Sequence, residues 1–226
     1  MEELLSRWLP NVINKLPEFK ESIIETFIMV GWSGIVSFAI GLILGVVLTV
    51  TKTEGILKNT VIYHILDKII NFFRSIPFII LLAMVVPITR KIMGTAIGVE
   101  GAIVPLIFGC VPFFSRQIET ALADVNPGQI EAAQSMGLGN MDIIIRVYLK
   151  ESVAGIARVT TITIINLIGL TAMAGAVGAG GLGDFAIRYG HQRNQPDVIY
   201  ITVIILVLIV SIIQLTGNYI AKKSTH

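Results

Sequence analysis

From Phe27 to Val50 the chain carries no charged side chain. A helix needs about 20 mostly apolar residues to cross a bilayer, and this run supplies them. Backbone polar groups cannot be left open in hydrocarbon, so such a run must be helical. Four more runs follow. Ile69 to Thr89 is apolar except for Arg74, and Gly101 to Ser115 is free of charge, as are Val159 to Gly183 and Val198 to Ala221. The expected class is an all-α integral membrane protein with five transmembrane helices, at about 23–50, 69–89, 99–121, 157–183 and 198–220. Composition agrees: 14% of residues are charged and the mean hydropathy is +0.81, against about a quarter charged in soluble domains. Pro77, Pro105 and Pro112 lie inside the spans, where neighbouring helices can re-satisfy freed carbonyls.

Five spans put the termini on opposite sides. With the C-terminus inside, Lys52, Lys58, Lys68, Arg74, Arg116, Arg146, Lys150, Arg158, Lys222 and Lys223 face the cytoplasm, leaving seven of the 17 basic residues outside. That is the sign the positive-inside rule requires. The N-terminus is then outside, and residues 123–156 form a cytoplasmic loop. Glu2 and Glu3 stand where a secretory signal carries positive charge, so the start is not read as one. Leu4, Leu5, Trp8, Leu9, Val12, Ile13 and Leu16 recur at helical spacing. Residues 1–20 thus form an amphipathic segment, lying on the membrane face or packed on its own bundle, with Pro10 as a kink or break.

The loop "EAAQSMGLGN", Glu131 to Asn140, is polar in an apolar chain. Asn126 can cap a helix, Pro127 suits its first position, and Gln129 stands where a capping box wants it. Gly137 suits its end. The expectation is a helix over Pro127–Met136, with Ala133, Met136 and Gly137 on one face, and a second helix from Asn140. It is either an ordinary surface helix or a docking element.

Several function classes are excluded. A net charge of +2 gives nucleic-acid binding no electrostatic support. His64, His191 and His226 are far apart, and the one cysteine, Cys110, sits in an apolar run, so no metal site is indicated. "AGAVGAGGLG" is not a phosphate loop, because no Gly-Lys-Ser/Thr follows. No Asp or Glu lies deep in a confident span and no internal repeat is visible, which argues against an ion-coupled carrier. A passive channel or scaffold would explain the spans but not the loop.

Glu131-Ala132-Ala133, three residues, then Gly137 resembles the EAA loop of the membrane subunits of bacterial ABC importers. Val147 and Leu149 follow in register, and Lys150 stands where that pattern has proline. "NFFRSIPFIILL" (Asn71 to Leu82), "AIVPL" (Ala102 to Leu106) and "AMAGAVGAGGLG" (Ala172 to Gly183) are similar to the methionine importer permease subfamily, over nearly the whole chain. The resemblance implies a type I ABC importer transmembrane domain over 21–221, working as a homodimer. It implies two separate ATPase subunits, which bind ATP and Mg, so this chain needs no cofactor and is no enzyme. It also implies an extracytoplasmic methionine-binding protein and a bacterial cytoplasmic membrane. Glu131, Ala132, Ala133, Met136 and Gly137 become candidate ATPase-coupling residues, and Arg74, Ser75 and Pro77 a candidate inner-pathway motif.

Small residues recur every four positions at Ala172, Ala176 and Gly180, and again at Gly175, Ala179 and Gly183. That spacing lets helices approach closely in a membrane, as plain packing. By the resemblance it lines a gated path instead, with Met173 a candidate at the constriction.

Overall fold

Proline placement decides where the long apolar runs stay helical. The computed structural model describes residues 9–224, and every regular element among them is helical. A short helix α1 (Pro10–Ile13) precedes α2 (Leu16–Thr51), then α3 (Thr60–Ser75), α4 (Phe78–Met84), α5 (Val86–Met93) and α6 (Gly98–Ala123). The loop helices α7 (Pro127–Ser135) and α8 (Asn140–Ile143) lead through a π-helical turn (Ile144–Leu149) to α9 (Val153–Ala176). Helix α10 (Gly181–Phe185), a second π-turn (Ala186–His191) and α11 (Pro196–Lys223) complete the chain.

Among the described residues four helices are long and apolar enough to cross a membrane: α2, α6, α9 and α11. The expected span over 69–89 is not a single helix. Ile76 is extended at φ −85°, ψ 123°, the conformation that a following proline imposes. Pro87 then sits in the first turn of α5, where its missing N–H costs nothing. Pro105 and Pro112 leave α6 unbroken, as expected of a bundled helix.

The expected span over 157–183 is also corrected. Helix α9 starts at Val153 and stops at Ala176. Gly178 at φ +94° lets the Ala179 N–H reach the Ala174 carbonyl at 3.1 Å and the Gly178 N–H reach Gly175 at 2.9 Å, a Schellman end. Gly180 and Gly181 also have positive φ, so the chain turns and α10 folds back on α9. A Cβ on Gly175 would lie 2.5 Å from the Asp184 nitrogen, and one on Gly183 2.3 Å from the Ala172 carbonyl oxygen. The small residues therefore serve this tight reversal, not a stripe along one straight span.

The described residues fall into two compact units. One holds the residues up to Ile35 with Pro77–Gly109 and Ile164–Ile213. Its core joins Val12 and Phe19 to Leu182, Phe185 and Val198. Leu9 and Val12 pack there, and the Asp197 carboxylate accepts two 3.0 Å bonds from the Asn11 backbone and amide. The described part of the 1–20 segment is thus packed on its own bundle, and from Leu16 it is continuous with α2. Leu4, Leu5 and Trp8 lie outside the described residues.

The second unit holds Val36–Ile76, Cys110–Thr163 and the described residues from Gln214. Its core gathers Val50, Phe114, Ile118 and Leu122 with Ala133, Ile143 and Tyr148 of the loop. Helix α3 has a single buried residue, Ile70. Its polar tie is Arg116 on α6, which pairs with Asp67, donates to the Asn71 amide oxygen at 3.2 Å and binds Glu119 at 2.6 Å. The three charged side chains are 16–27% exposed. Arg116→Ala leaves two half-buried carboxylates without their cation. The expected loss is about 1–3 kcal/mol, between the values for exposed and fully buried pairs. Thermal melting of the detergent-solubilised protein measures it; Asp67→Asn loses less, and unchanged melting in Arg116→Ala would disprove the tie.

Candidate coupling site and pathway residues

Helix α7 is defined at both ends by its own sequence. The Asn126 side chain accepts from the Gly128 N–H at 2.9 Å, and Pro127 occupies the first helical position. Gln129 sends its amide across to Glu151 at 3.3 Å. At the other end Gly137 has φ +78°. Its N–H donates to Gln134 at 2.9 Å, and the Leu138 N–H donates to Ala133 at 3.1 Å. These two bonds close the helix with a Schellman end.

The expected face of Ala133, Met136 and Gly137 does not exist as one surface. Ala133 is 2% exposed and belongs to the core, whereas Met136 is 72% exposed. Half-buried Ile130 and Leu138 pack beside Ala133. A larger residue at 133 would have to displace these neighbours. Glu131, Ala132, Ser135 and Met136 point away from the core. Met141 and Ile145 are also exposed, at 66% and 56%, and sequence reasoning did not single them out. The only signal was two apolar residues beside Asp142 and Arg146, which pair at 3.2 Å. Exposed methionines beside a capped helix make an adaptable apolar contact surface.

Where the importer pattern has proline, Lys150 is helical at φ −70°, ψ −44°, and its N–H donates to Val147. Proline would lose that bond. The loop therefore continues in helical conformation through Lys150 toward α9.

The other candidates sit at helix ends. Arg74 and Ser75 close α3, with the Ser75 hydroxyl donating to the Asn71 carbonyl at 2.7 Å, and Pro77 precedes α4. Met173 is 51% exposed and Ala176, one turn on, is exposed too. Ala172 and Gly180 are half-buried, and Ala172 lies against Gly183 in the reversal. Among the described residues no group of three His, Cys, Asp or Glu is placed to hold a metal ion.

Long apolar helices, interrupted at fixed points, with a capped loop helix buried on one side and exposed on the other, define a multi-pass membrane protein. Residues 37–224 match the family model for the binding-protein-dependent transport system inner membrane component. The chain belongs to that family and is a multi-pass membrane protein. It is 45% identical over 89% of its length to 90% of the Vibrio cholerae "Probable D-methionine transport system permease protein MetI". It is 46% identical over 58% of its length to 61% of the Escherichia coli D-methionine transport system permease protein MetI. Among solved structures, an inward-facing MetNI methionine ABC transporter chain superposes with a TM-score of 0.92 at 42% identity, covering 94% of this chain and 99% of that one. An amino acid ABC transporter at 15% identity and a TM-score of 0.79 shares the fold.

Gly137→Ala forces a Cβ into the left-handed region, at about 1–2 kcal/mol. The expected result is roughly fivefold to thirtyfold faster hydrogen exchange at the Gly137 and Leu138 amides, with α6 unaffected. Equal exchange in both proteins would show that the turn does not depend on glycine.

Proposed function

We propose that this chain is the permease subunit of an ATP-driven methionine import system. It forms the translocation path and works by alternating access. Two copies act as a homodimer with two separate ATPase subunits, which bind ATP and Mg, and with an extracytoplasmic methionine-binding protein. The loop of α7 and the C-terminus face the cytoplasm, and the N-terminus faces outside. The carrying observation is α7 itself, which offers Glu131, Ala132 and Met136 to a partner while Ala133 is locked into a core with Phe114, Ile118 and Leu122. Interiors are close-packed and transmit displacement. A motor that grips the free face therefore moves the ends of α2 and α6 as well as the loop. Gly137 keeps that helix short and fixes its exit.

By the same reading Arg74, Ser75 and Pro77 shape the inner pathway at the break before α4. Met173, Ala172, Ala176 and Gly180 form the constriction, where an unbranched thioether can seal a path and still move aside. The named D-methionine relatives and the methionine transporter fold support the substrate.

Uptake of labelled methionine by the reconstituted complex, with competing amino acids, tests the substrate. Methionine that neither enters nor competes would leave an importer of another metabolite. Glu131→Arg and Gly137→Trp are expected to lose ATPase co-purification and uptake together. Retained binding and coupling in both would refute α7 as the handle. Met173→Ala is expected to raise basal ATP hydrolysis and lower uptake; no change in either removes Met173 from the constriction.

A further inference from the structure

The turn that ends α9 is held from a distant part of the chain. Helix α10 opens at Gly181 after Gly180, which has no side chain to cap it. Its first N–H groups need acceptors, and the turn itself supplies none. Both acceptors come from α2: the Glu25 carboxylate accepts from Gly181 at 2.6 Å, and the Thr26 hydroxyl accepts from Leu182 at 2.9 Å. The Thr26 hydroxyl donates its own proton to the Ser22 carbonyl at 2.9 Å, which fixes the lone pairs that face Leu182.

Space at the turn is matched to these two side chains. A Cβ at position 180 would lie 2.7 Å from the Glu25 carboxylate, and one at 181 would lie 2.8 Å from the Thr26 hydroxyl. Gly180 and Gly181 are thus required by the anchor as well as by their positive φ. Glu25 also borders a cavity of about 280 Å³, together with Glu18, Glu21, Asp184 and Arg188. Arg188 is engaged by Asp184 and also feels the Glu25 charge, while the Glu25 carboxylate accepts the Gly181 N–H. Near the turn along the chain, Met173 and Val177 are about half exposed. A small cavity of about 60 Å³, lined by Leu82, Gly101, Val177 and Gly178, leaves room beside it.

We infer that Glu25 and Thr26 are positioning residues that latch the glycine turn Val177–Gly181, and that release of the latch opens the path at Met173 and Ala176. The charge-assisted Glu25 bond borders the cavity and can exchange for water at modest net cost, while the Thr26 bond holds Leu182 at the edge of its core. That property suits a part that must change between two arrangements. Assigning the turn to a gate rests on the importer reading, but the latch can be tested without it.

The test uses the full chain with Ala176→Cys as a reporter for a membrane-impermeant maleimide. Native Cys110 is buried and serves as the internal control. Glu25→Ala and Thr26→Val are expected to speed labelling of the reporter roughly tenfold. Glu25→Gln, which keeps an acceptor oxygen without the charge, falls between them and the parent, and Thr26→Ser restores the parent rate. Thr26→Val and Glu25→Gln keep side-chain size, so they carry the test even where Glu25→Ala does not fold. Parent-rate labelling in both overturns the latch. So does faster labelling of Cys110 in parallel with the reporter, which means general loosening. Fast reporter labelling, beside a parent complex with native Ala176 that takes up no methionine, sustains the latch and removes the methionine reading.

Discussion

A backbone amide in hydrocarbon must find its acceptor within the protein, and the rest of this structure depends on that requirement. Where the chain stays helical the requirement is met locally. Even the buried hydroxyls of Thr49, Thr163 and Thr202 donate to the carbonyl one turn back. Each interruption needs a dedicated solution. At the end of α9 the solution is a glycine Schellman turn followed by two acceptors from α2. At Pro77 it is an extended residue between two helices, with Ser75 occupying the Asn71 carbonyl. Such interruptions cost specific contacts to maintain, so they persist where a path or a moving part needs them.

The loop between α6 and α9 answers a different constraint. It leaves the apolar region, and under the proposed coupling role a loop free to move on its own could not pass force to a helix. The solution is to bury one side of it. Ala133, Ile143, Ile144 and Tyr148 join the core that holds Val50, Phe114 and Ile118. The opposite side keeps Glu131, Ala132, Met136 and Met141 exposed. Alanine at 133 is small enough to let the helix sit close, while Gly137 ends the helix and Leu138 turns back against the same core.

Hydropathy made four of the expected spans legible, because each lipid-facing helix carries its own signal. Helix α11 is the plainest case: its most apolar window is only 11% buried inside the protein. The helix grammar of α7 was equally legible, since Asn126, Pro127 and Gly137 act within a few residues of where they stand. What stayed hidden was set by distant partners. The small residues of 172–183 read as one striped span, because nothing local reveals that Glu25 and Thr26 wait to receive a reversed chain. Ala133 read as part of a docking face, because the inward side of a loop helix is chosen by the core it meets. Pro77, Pro105 and Pro112 looked alike in sequence; only the first sits where the preceding helix ends in Arg74-Ser75 and the chain breaks.

Charge placement follows from the same asymmetry between local and distant control. Arg116 reads as a residue near water at a helix end. In the structure it is 19% exposed and holds Asp67, Asn71 and Glu119 together. Glu25 reads as the edge of an apolar run, yet it supplies the acceptor that allows α10 to begin. Lys222 and Lys223, by contrast, lie in the last turn of α11, where both the helix dipole and lipid phosphates favour them. An ionisable group beside a long apolar helix thus has two stable fates. It reaches water and orients the chain, or it stays among the helices and joins two segments. Sequence shows the first fate through the count of basic residues. The second depends on which segments meet, and here it ties α3 to α6 and the turn before α10 to α2.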